Sequence, residues 1–447
     1  MAKNMTGGSI PKLLIGFTIP TILGNLFQLT YNAGDAIIVG QFAGKNSLAA
    51  VGCANPIMNI IIFLIVGLCL GASVLMSEFF GANDVEKFKR EVSTTIIIGF
   101  FFTIFVTILL NIFVTPILLL IRTPKDIVKD AAQYLHVIFA GLIFTFLYNV
   151  YAAALRSIGD SKSPIIFLII SSITNVCLDL IFVAGFHMGV FGAALSTVIA
   201  EAVSAILCII FVYRKVEVLQ IKKKEWVVDK QLLKTTVGYS WASAMQQTCL
   251  YIGKVLVQAA VNPLGVDSIA TFNAVNRVDD FAFTPQQSIA HSMTVFIAQN
   301  RGAQKEERLR KGFRWGMLIE IIYGCVICMV VFIFAKHLMK IFIGKESNVI
   351  ELGVAYLKAM AFFYLLPALT NGIQGYFRGM GKMKVTLAST FTQMLFRVLF
   401  SYILAPIFGI QGIAYSCFGG WVAMLIYEIP ILVKDLKRRD NHLLQTL

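Results

Sequence analysis

Apolar residues come in twelve blocks separated by short polar segments, at about 13–38, 48–77, 94–121, 130–155, 163–186, 190–213, 238–262, 269–299, 313–336, 351–377, 385–407 and 411–433. Each is close to or above the roughly 20 residues with which a helix crosses a bilayer. The pattern predicts an all-α membrane protein of twelve transmembrane helices. The period-two alternation of a membrane barrel is absent, and in hydrocarbon a helix satisfies every backbone polar group within its own segment. The first block follows a lysine and glycines, as a signal peptide would. It is too long for one, and no small-residue cleavage site comes before Asp35 and Gln41. It is expected to stay in the mature protein as the first helix.

Composition narrows the class. Of 447 residues, 57% are hydrophobic and 14% charged, against about 25% charged in soluble chains, which excludes an ordinary cytosolic enzyme. The formal net charge is +14, from 38 Lys+Arg and 24 Asp+Glu. These basic residues stand in the connections, without a basic helix face or interleaved aromatics, so nucleic acid is not the expected partner. Roughly 27 lie on the side carrying both termini and roughly 7 on the other, which makes both termini cytoplasmic in a protein of the cell membrane. The largest basic cluster, Arg214 to Lys234, joins the sixth and seventh helices. The expected organisation is a first lobe at 1–213, a cytoplasmic linker at 214–237 that is solvated or faces lipid headgroups, and a second lobe with a cytoplasmic tail at 238–447. All eight cysteines fall in apolar stretches and imply no disulfide framework. Cys325-x-x-Cys328 lacks a His or acidic neighbour suited to a metal and reads as small lipid-facing residues.

The lobes repeat. ALRSIGDSK from Ala154 matches YFRGMGKMK from Tyr376, so Arg156, Gly159 and Lys162 fall on Arg378, Gly381 and Lys384. LAAVGCANPI from Leu48 falls on IATFNAVNRV from Ile269, and EFFGANDVEKFKR on AQNRGAQKEERLRKG. Six helices per copy keep the copies parallel, two six-helix bundles about a pseudo-twofold axis along the membrane normal, as in transporters that bind substrate between lobes.

Differences between the copies point to chemistry. Helix 5 places Asn175 and Asp179 four apart on one face, and helix 6 follows with Thr197; the equivalent positions of the second copy are Arg397, Ser401 and Cys417. Depth agrees: at 1.5 Å per residue Asp35 lies roughly 33 Å along helix 1, Asp179 roughly 24 Å along helix 5 and Thr197 roughly 10 Å into helix 6, with Tyr134 near the outer end of helix 4. All converge on the outer half of the first lobe. Two carboxylates in a low dielectric repel each other's charge and hold a proton or a hard cation, and carboxylate, amide and hydroxyl oxygens suit Na⁺. Against this coupling-ion reading stands a purely structural one, hydrogen bonds that hold helices together; ionisable residues at depth are costly and usually functional.

Other polar positions remain open between roles. Tyr31 and Asn149 can touch a ligand or serve packing, and Glu201, one turn beyond Thr197, can extend a proton path or cap a helix contact. Lys254, Arg277, Asp279, Asp280 and Arg397 can neutralise one another; if Lys254 and Arg397 face a cavity instead, the substrate is anionic. Pro20, inside helix 1, removes a backbone hydrogen bond and can act as a hinge linking ion occupancy to cavity shape. An intramembrane enzyme is disfavoured, because His136, His187, His291, His337 and His442 form no nucleophile–base pair or metal cluster.

These segments resemble the multidrug and toxic compound extrusion (MATE) family over essentially the whole chain: IPTILGNLFQLTYNAGDAIIVGQF, the Arg156/Gly159/Asp160 loop, NVCLDL, GVFGAALSTVIAE and FIAQNRGA, in that order. The resemblance implies two six-helix bundles in a V around a central cavity, exporting organic, often cationic and amphipathic compounds by Na⁺ or H⁺ antiport. It implies a first-lobe cation site at Asp35, Asn175, Asp179, Thr197, Tyr134 and Asn149, with Na⁺, if that is the ion, at the first four. One branch of the family also has acids on helices 7 and 10; this chain has Gln246, Gln247 and Asn371 there, which favours first-lobe coupling and leaves the ion open. The expected function is export by alternating access, with a lipid-linked glycan flippase, its pyrophosphate held by Lys254 and Arg397, as the alternative. No cofactor beyond the ion is expected, and the expected partners of a monomeric protein are an amphipathic small molecule and membrane lipid.

Overall fold

The computed structural model describes residues 4–343 and 347–446, without the side chains of 31–37, 45, 343, 347 and 440–446. No strand occurs among the described residues. In chain order the helices are α1 (Ile10–Ile38), α2 (Gly44–Gly81), α3 (Val85–Leu120), α4 (Lys125–Ala140), α5 (Leu142–Ser157), α6 (Lys162–Asp179), α7 (Gly189–Lys215), α8 (Lys230–Val261), α9 (Val266–Gly302), α10 (Glu306–Ile343), α11 (Ser347–Phe363), α12 (Leu365–Gly379), α13 (Met383–Phe408) and α14 (Ile410–Thr446). The pairs α4/α5 and α11/α12 are each one rod bent by 44° and 45°. Counted so, the described residues make twelve rods, the all-α architecture that the apolar blocks predict.

Among the described residues, eight helices are long and apolar enough to cross a membrane, ten if each bent pair is one span. The remaining two rods, α8 and α9, are the polar ones. They carry Gln246, Gln247 and Lys254, and Asp279, Asp280 and Gln286, and several of these are buried inside the protein. A helix can carry polar groups through a membrane when they face protein rather than lipid. Elsewhere large apolar side chains such as Phe101, Phe105, Ile112, Ile333 and Ile426 are exposed on the outer faces, as a lipid solvent requires.

Two compact units result. One comprises Ile15–Thr248 and Ala298–Lys305 with the described residues before Ser9; the other comprises Ser9–Leu14, Cys249–Ile297 and the chain from Glu306 onward. The division falls inside α8 and α9 rather than at the linker. Hydrogen bonds show why the tail of α9 joins the first unit: Gln299 Nε2 donates to the Ser157 carbonyl at 2.7 Å, Met5 N donates to Gln299 Oε1 at 2.8 Å, and Arg301 pairs with Glu78.

The repeat is visible in local geometry. Gly159 (φ 83°) and Gly381 (φ 71°) end α5 and α12 in the left-handed conformation that favours glycine. In both, the following amide reaches back to the last turn, Asp160 N to Leu155 O at 3.0 Å and Lys382 N to Phe377 O at 2.8 Å, the same terminator used twice. Helix α1 runs unbroken past Pro20, as α2 does past Pro56.

The connecting segment before α8 is tied to α3. Ser93 Oγ accepts from Val227 N at 3.0 Å, Thr94 Oγ1 accepts from Asp229 N at 3.0 Å, and Lys89 and Arg90 pair with Glu225 and Asp229 at 3.0 and 3.3 Å. The backbone N–H of Leu232 holds the Asp229 carboxyl below its ordinary range, helped by Gln231 N and Arg90. Glu225 is lowered chiefly by the Lys222 backbone N–H and then by Lys89.

Candidate functional site

Helix α6 sets Ser171, Asn175 and Asp179 at intervals of four on one face. Helix α7 returns antiparallel beside it and meets them with Ala200, Thr197 and Ser196. Ser171 Oγ donates to the Ala200 carbonyl at 2.6 Å, Asn175 Nδ2 donates to Thr197 Oγ1 at 3.4 Å, and Ser196 Oγ donates to Asp179 Oδ1. Asn175, Asp179 and Ser196 are fully buried. Directly after Asp179 the helix widens into a π-helical stretch, Leu180–Gly185, a departure that often marks functional positions.

This ladder suits either form of the carboxyl. Ser196 Oγ also lies 2.9 Å from the Ala193 carbonyl. When Asp179 is ionised the hydroxyl donates to it; when Asp179 is protonated the carboxyl can donate to Ser196, whose own proton then turns to Ala193. A buried carboxylate needs such compensation or a cation. The amide oxygen of Asn175, the hydroxyls of Ser196 and Thr197 and the Asp179 carboxylate are the hard ligands that a small cation prefers.

The structure brings Asn175, Asp179 and Thr197 together, as their spacing predicts, and adds Ser196. The side chains of Asp35 and Tyr31 lie outside the described residues. Tyr134 is buried with its hydroxyl 3.8 Å from Met58 Sδ, and Asn149 Nδ2 donates to the Thr145 carbonyl of its own helix at 2.8 Å. One turn further along α7, Glu201 accepts a hydrogen bond from Thr145 Oγ1. That ties Glu201 and Asn149 into a second polar cluster on α5 and α7.

In the second unit the charges largely pair. Lys254 Nζ lies 3.1 Å from Asp280 Oδ1, and Asp279 accepts from Tyr364 OH at 2.5 Å while interacting electrostatically with Arg397. Arg397 in turn interacts electrostatically with the Cys417 thiol. On α8, Gln246 is buried and Gln247 half-buried. Ser196 was missed by sequence reasoning because a serine in a helix carries no signal of depth; its equivalence to Ser416, a serine at the same place in both copies, is what could have found it.

The MatE family's pattern matches residues 20–181 and again 242–403, once for each copy of the repeat. The chain belongs to the MATE family. Among curated MATE relatives, "Probable multidrug resistance protein YpnP" of Bacillus subtilis (strain 168) is 26% identical over 456 residues, covering 95% of this chain and 99% of the relative. "Probable multidrug resistance protein YoeA" of the same organism is 26% identical over 339 residues, 74% of this chain and 73% of the relative. A crystal structure of a MATE protein in complex with MaL6 superposes with a TM-score of 0.91 at 23% identity, covering 98% of this chain and 100% of that one. A MOP superfamily transporter from Pyrococcus furiosus, described as having a binding pocket of reversed polarity, gives a TM-score of 0.89 at 23% identity over 97% of this chain and 98% of that one. The fold is therefore the twelve-helix, two-bundle MATE fold, and the protein is integral to a membrane with many passes.

Proposed function

We propose that this protein is a secondary multidrug exporter that moves organic, cationic and amphipathic compounds out of the cell in exchange for Na⁺ or H⁺. The observation that carries the reading is the fully buried Asp179, met by the Ser196 hydroxyl on α7, with Asn175 and Thr197 one turn away. Asp35 of α1 is proposed to complete the site, and bending of that helix at Pro20 to pass occupancy on to the substrate cavity. Tyr134, Asn149 and Glu201 extend the polar surface toward the substrate path, and Gln246 and Gln247 stand on the first unit's side of α8.

The ion must bind one conformation better than the other, because only differential affinity shifts such an equilibrium. Ion arriving from outside favours the state that releases substrate outward; its departure inward resets the cycle. The work is transport, with both termini in the cytoplasm, the chain in the cell membrane and a monomer as the working unit. The names of the multidrug relatives support the substrate class. The flippase alternative needs Lys254 and Arg397 free for a pyrophosphate. The ion pair of Lys254 with Asp280 and the electrostatic interaction of Arg397 with Asp279 disfavour it.

The test is export of a fluorescent organic cation from vesicles under an imposed Na⁺ or pH gradient, for wild type, Asp35→Asn and Asp179→Asn. Flux driven by one gradient names the ion. Unchanged gradient-driven flux in both variants would overturn the coupling site.

A further inference from the structure

The second unit buries a charged cluster that the proposed ion site does not use. Glu320 on α10 and Glu428 on α14 are fully enclosed, and Arg378, in the last turn of α12, is nearly so. Glu428 Oε1 accepts from Gln374 Nε2 at 2.6 Å, and the same amide reaches Ser389 Oγ of α13 at 2.6 Å. Glu320 lies near α12 at Gly372, which it faces together with Met317. Neither of its carboxyl oxygens has a hydrogen-bond partner among the described residues, and neither does Arg378 Nε.

Charge balance decides what this cluster needs. Arg378 interacts electrostatically with both acids, so one positive charge faces two carboxyls. An enclosed carboxylate with no donor is among the costliest arrangements a protein can hold, and the usual relief is a proton or a cation. A metal ion would need several oxygen ligands, and no group of three or more His, Cys, Asp or Glu with metal-binding placement exists among the described residues. A proton needs one.

Further polar groups follow along α14 toward its C-terminal end. On α14, Glu428, Asp435 and Arg439 fall seven and then four residues apart, one face of the helix. Asp435 accepts from Tyr376 OH at 2.9 Å and pairs with Lys382 at 2.5 Å, and Arg439 pairs with Glu306 at 2.8 Å. A polar stripe thus runs from the end of the unit that carries the C-terminal helix inward to the buried acids. The titratable and charged groups that the surrounding helices bring to the cluster are Tyr323 on α10, Arg378 and Tyr376 on α12, Glu428 and Asp435 on α14, and His291 on α9, next to the Ala290 carbonyl that abuts Gly375. Helix α13 brings the Ser389 hydroxyl and the Thr386 carbonyl to Gln374.

The repeat shows that the two acids of the cluster are not part of the shared scaffold. By the correspondence of Gly81 with Gly302, Glu320 falls on Gly99. By that of Arg156 with Arg378, Gln374 falls on Ala152, and by that of Thr197 with Cys417, Glu428 falls on Cys208. The first copy keeps the arginine, as Arg156, but folds without the two acids and the amide, so the fold does not require them.

We propose that Glu320 and Glu428, which share the field of the single buried Arg378, form a second proton-binding site, holding one exchangeable proton that enters along the Asp435–Tyr376 stripe. The site does not depend on the ion bound at Asp179, and it gives the exporter a pH response of its own.

Infrared difference spectroscopy on the full-length protein, stepped between acid and alkaline buffer without substrate, tests this by reading the carbonyl band of a protonated carboxyl. The expected result is a band that titrates and that Glu320→Gln or Glu428→Gln removes; the amide mimics the protonated group, so these variants should fold. In vesicles Glu320→Gln is expected to lose one proton's share of the pH dependence of transport, up to about tenfold per pH unit. A band that survives in both variants would show two ionised acids in a static network and overturn the proposal. So would a band that Glu320→Gln removes but that does not change with pH, or one displaced by Na⁺ at constant pH. The spectroscopic readout stands whether or not wild type exports the test cation, so it fails separately from the exporter reading.

Discussion

The two units use one geometry for opposite chemistry. In the first, Ser196 meets Asp179 and Thr197 meets Asn175. At the equivalent places in the second, Ser416 meets Ser401 at 2.8 Å and Cys417 meets Arg397. A serine of the second helix, Ser196 or Ser416, makes the contact in both. Charge is what changes: the first unit carries the carboxyl of Asp179 where the second has the Ser401 hydroxyl, and the second carries the Arg397 guanidinium where the first has the Asn175 amide. A duplicated scaffold can thus carry different polar groups in its two copies at the same helix contact.

The comparison is broken most directly at Asp179. Asp179→Asn is expected to lower gradient-driven export more than about thirtyfold, in line with the roughly 2–5 kcal/mol lost when one member of a buried charge contact is removed. Asn175→Arg, which imports the second unit's residue, should match it in the same vesicle assay. If either variant keeps its gradient response, the asymmetry is not functional.

Next in size is Ser196→Ala. A hydrogen bond to a charged group is worth about 1.5–3 kcal/mol, so ion affinity, followed by the concentration that half-stimulates transport, should weaken about 10- to 100-fold. Ser416→Ala removes a bond between neutral groups, worth about 0.5–1.5 kcal/mol. It should lower the melting temperature of the detergent-solubilised protein slightly and leave the half-stimulating concentration unchanged. Equal effects from the two serines would remove the distinction between the units.

Lys254→Ala gives a smaller effect. Its pair with Asp280 is more than half exposed on the lysine side, and such pairs contribute about 0–1 kcal/mol. Little change in melting temperature is expected, and a large loss of transport would revive the anionic-substrate alternative.

The smallest effect concerns the segment docked on α3. Asp229 and Glu225 have lowered folded values, so their contribution is fully present above the ordinary values of 3.8 and 4.5 and is lost as pH falls through the lowered ones. Proteolytic cutting within residues 216–229 should stay slow at neutral pH and rise only in strong acid. Cutting that rises already between pH 6 and 8 would show that these carboxylates do not hold the segment.

Much of this was legible in the sequence because the bilayer writes in a coarse alphabet. Twelve apolar blocks, the doubled Arg-x-x-Gly terminators and the Asn175/Asp179 spacing each follow from a period or a length. The bends could not be read: Gly141 and Tyr364 interrupt otherwise continuous apolar runs, and only packing shows where each rod breaks. Nor could the division of α8 at Thr248 and α9 at Ala298, since unbroken helices hide which neighbours they serve. Glu320 and Glu428 stood inside predicted spans as lone acids, yet nothing local to either points to the other, 108 residues away, or to Arg378 between them.

The π-helical stretch after Asp179 bears on how the copies diverged. Asp179 and Ser196 are 17 residues apart, whereas Ser401 and Ser416 are 15 apart, and α13 runs as regular helix where the first copy widens. Part of that surplus length is taken up within Leu180–Gly185. The hairpin beside the carboxylate is thereby offset from its twin's register, so lineage comparisons that assume equal spacing will misalign the very residues that distinguish one half from the other.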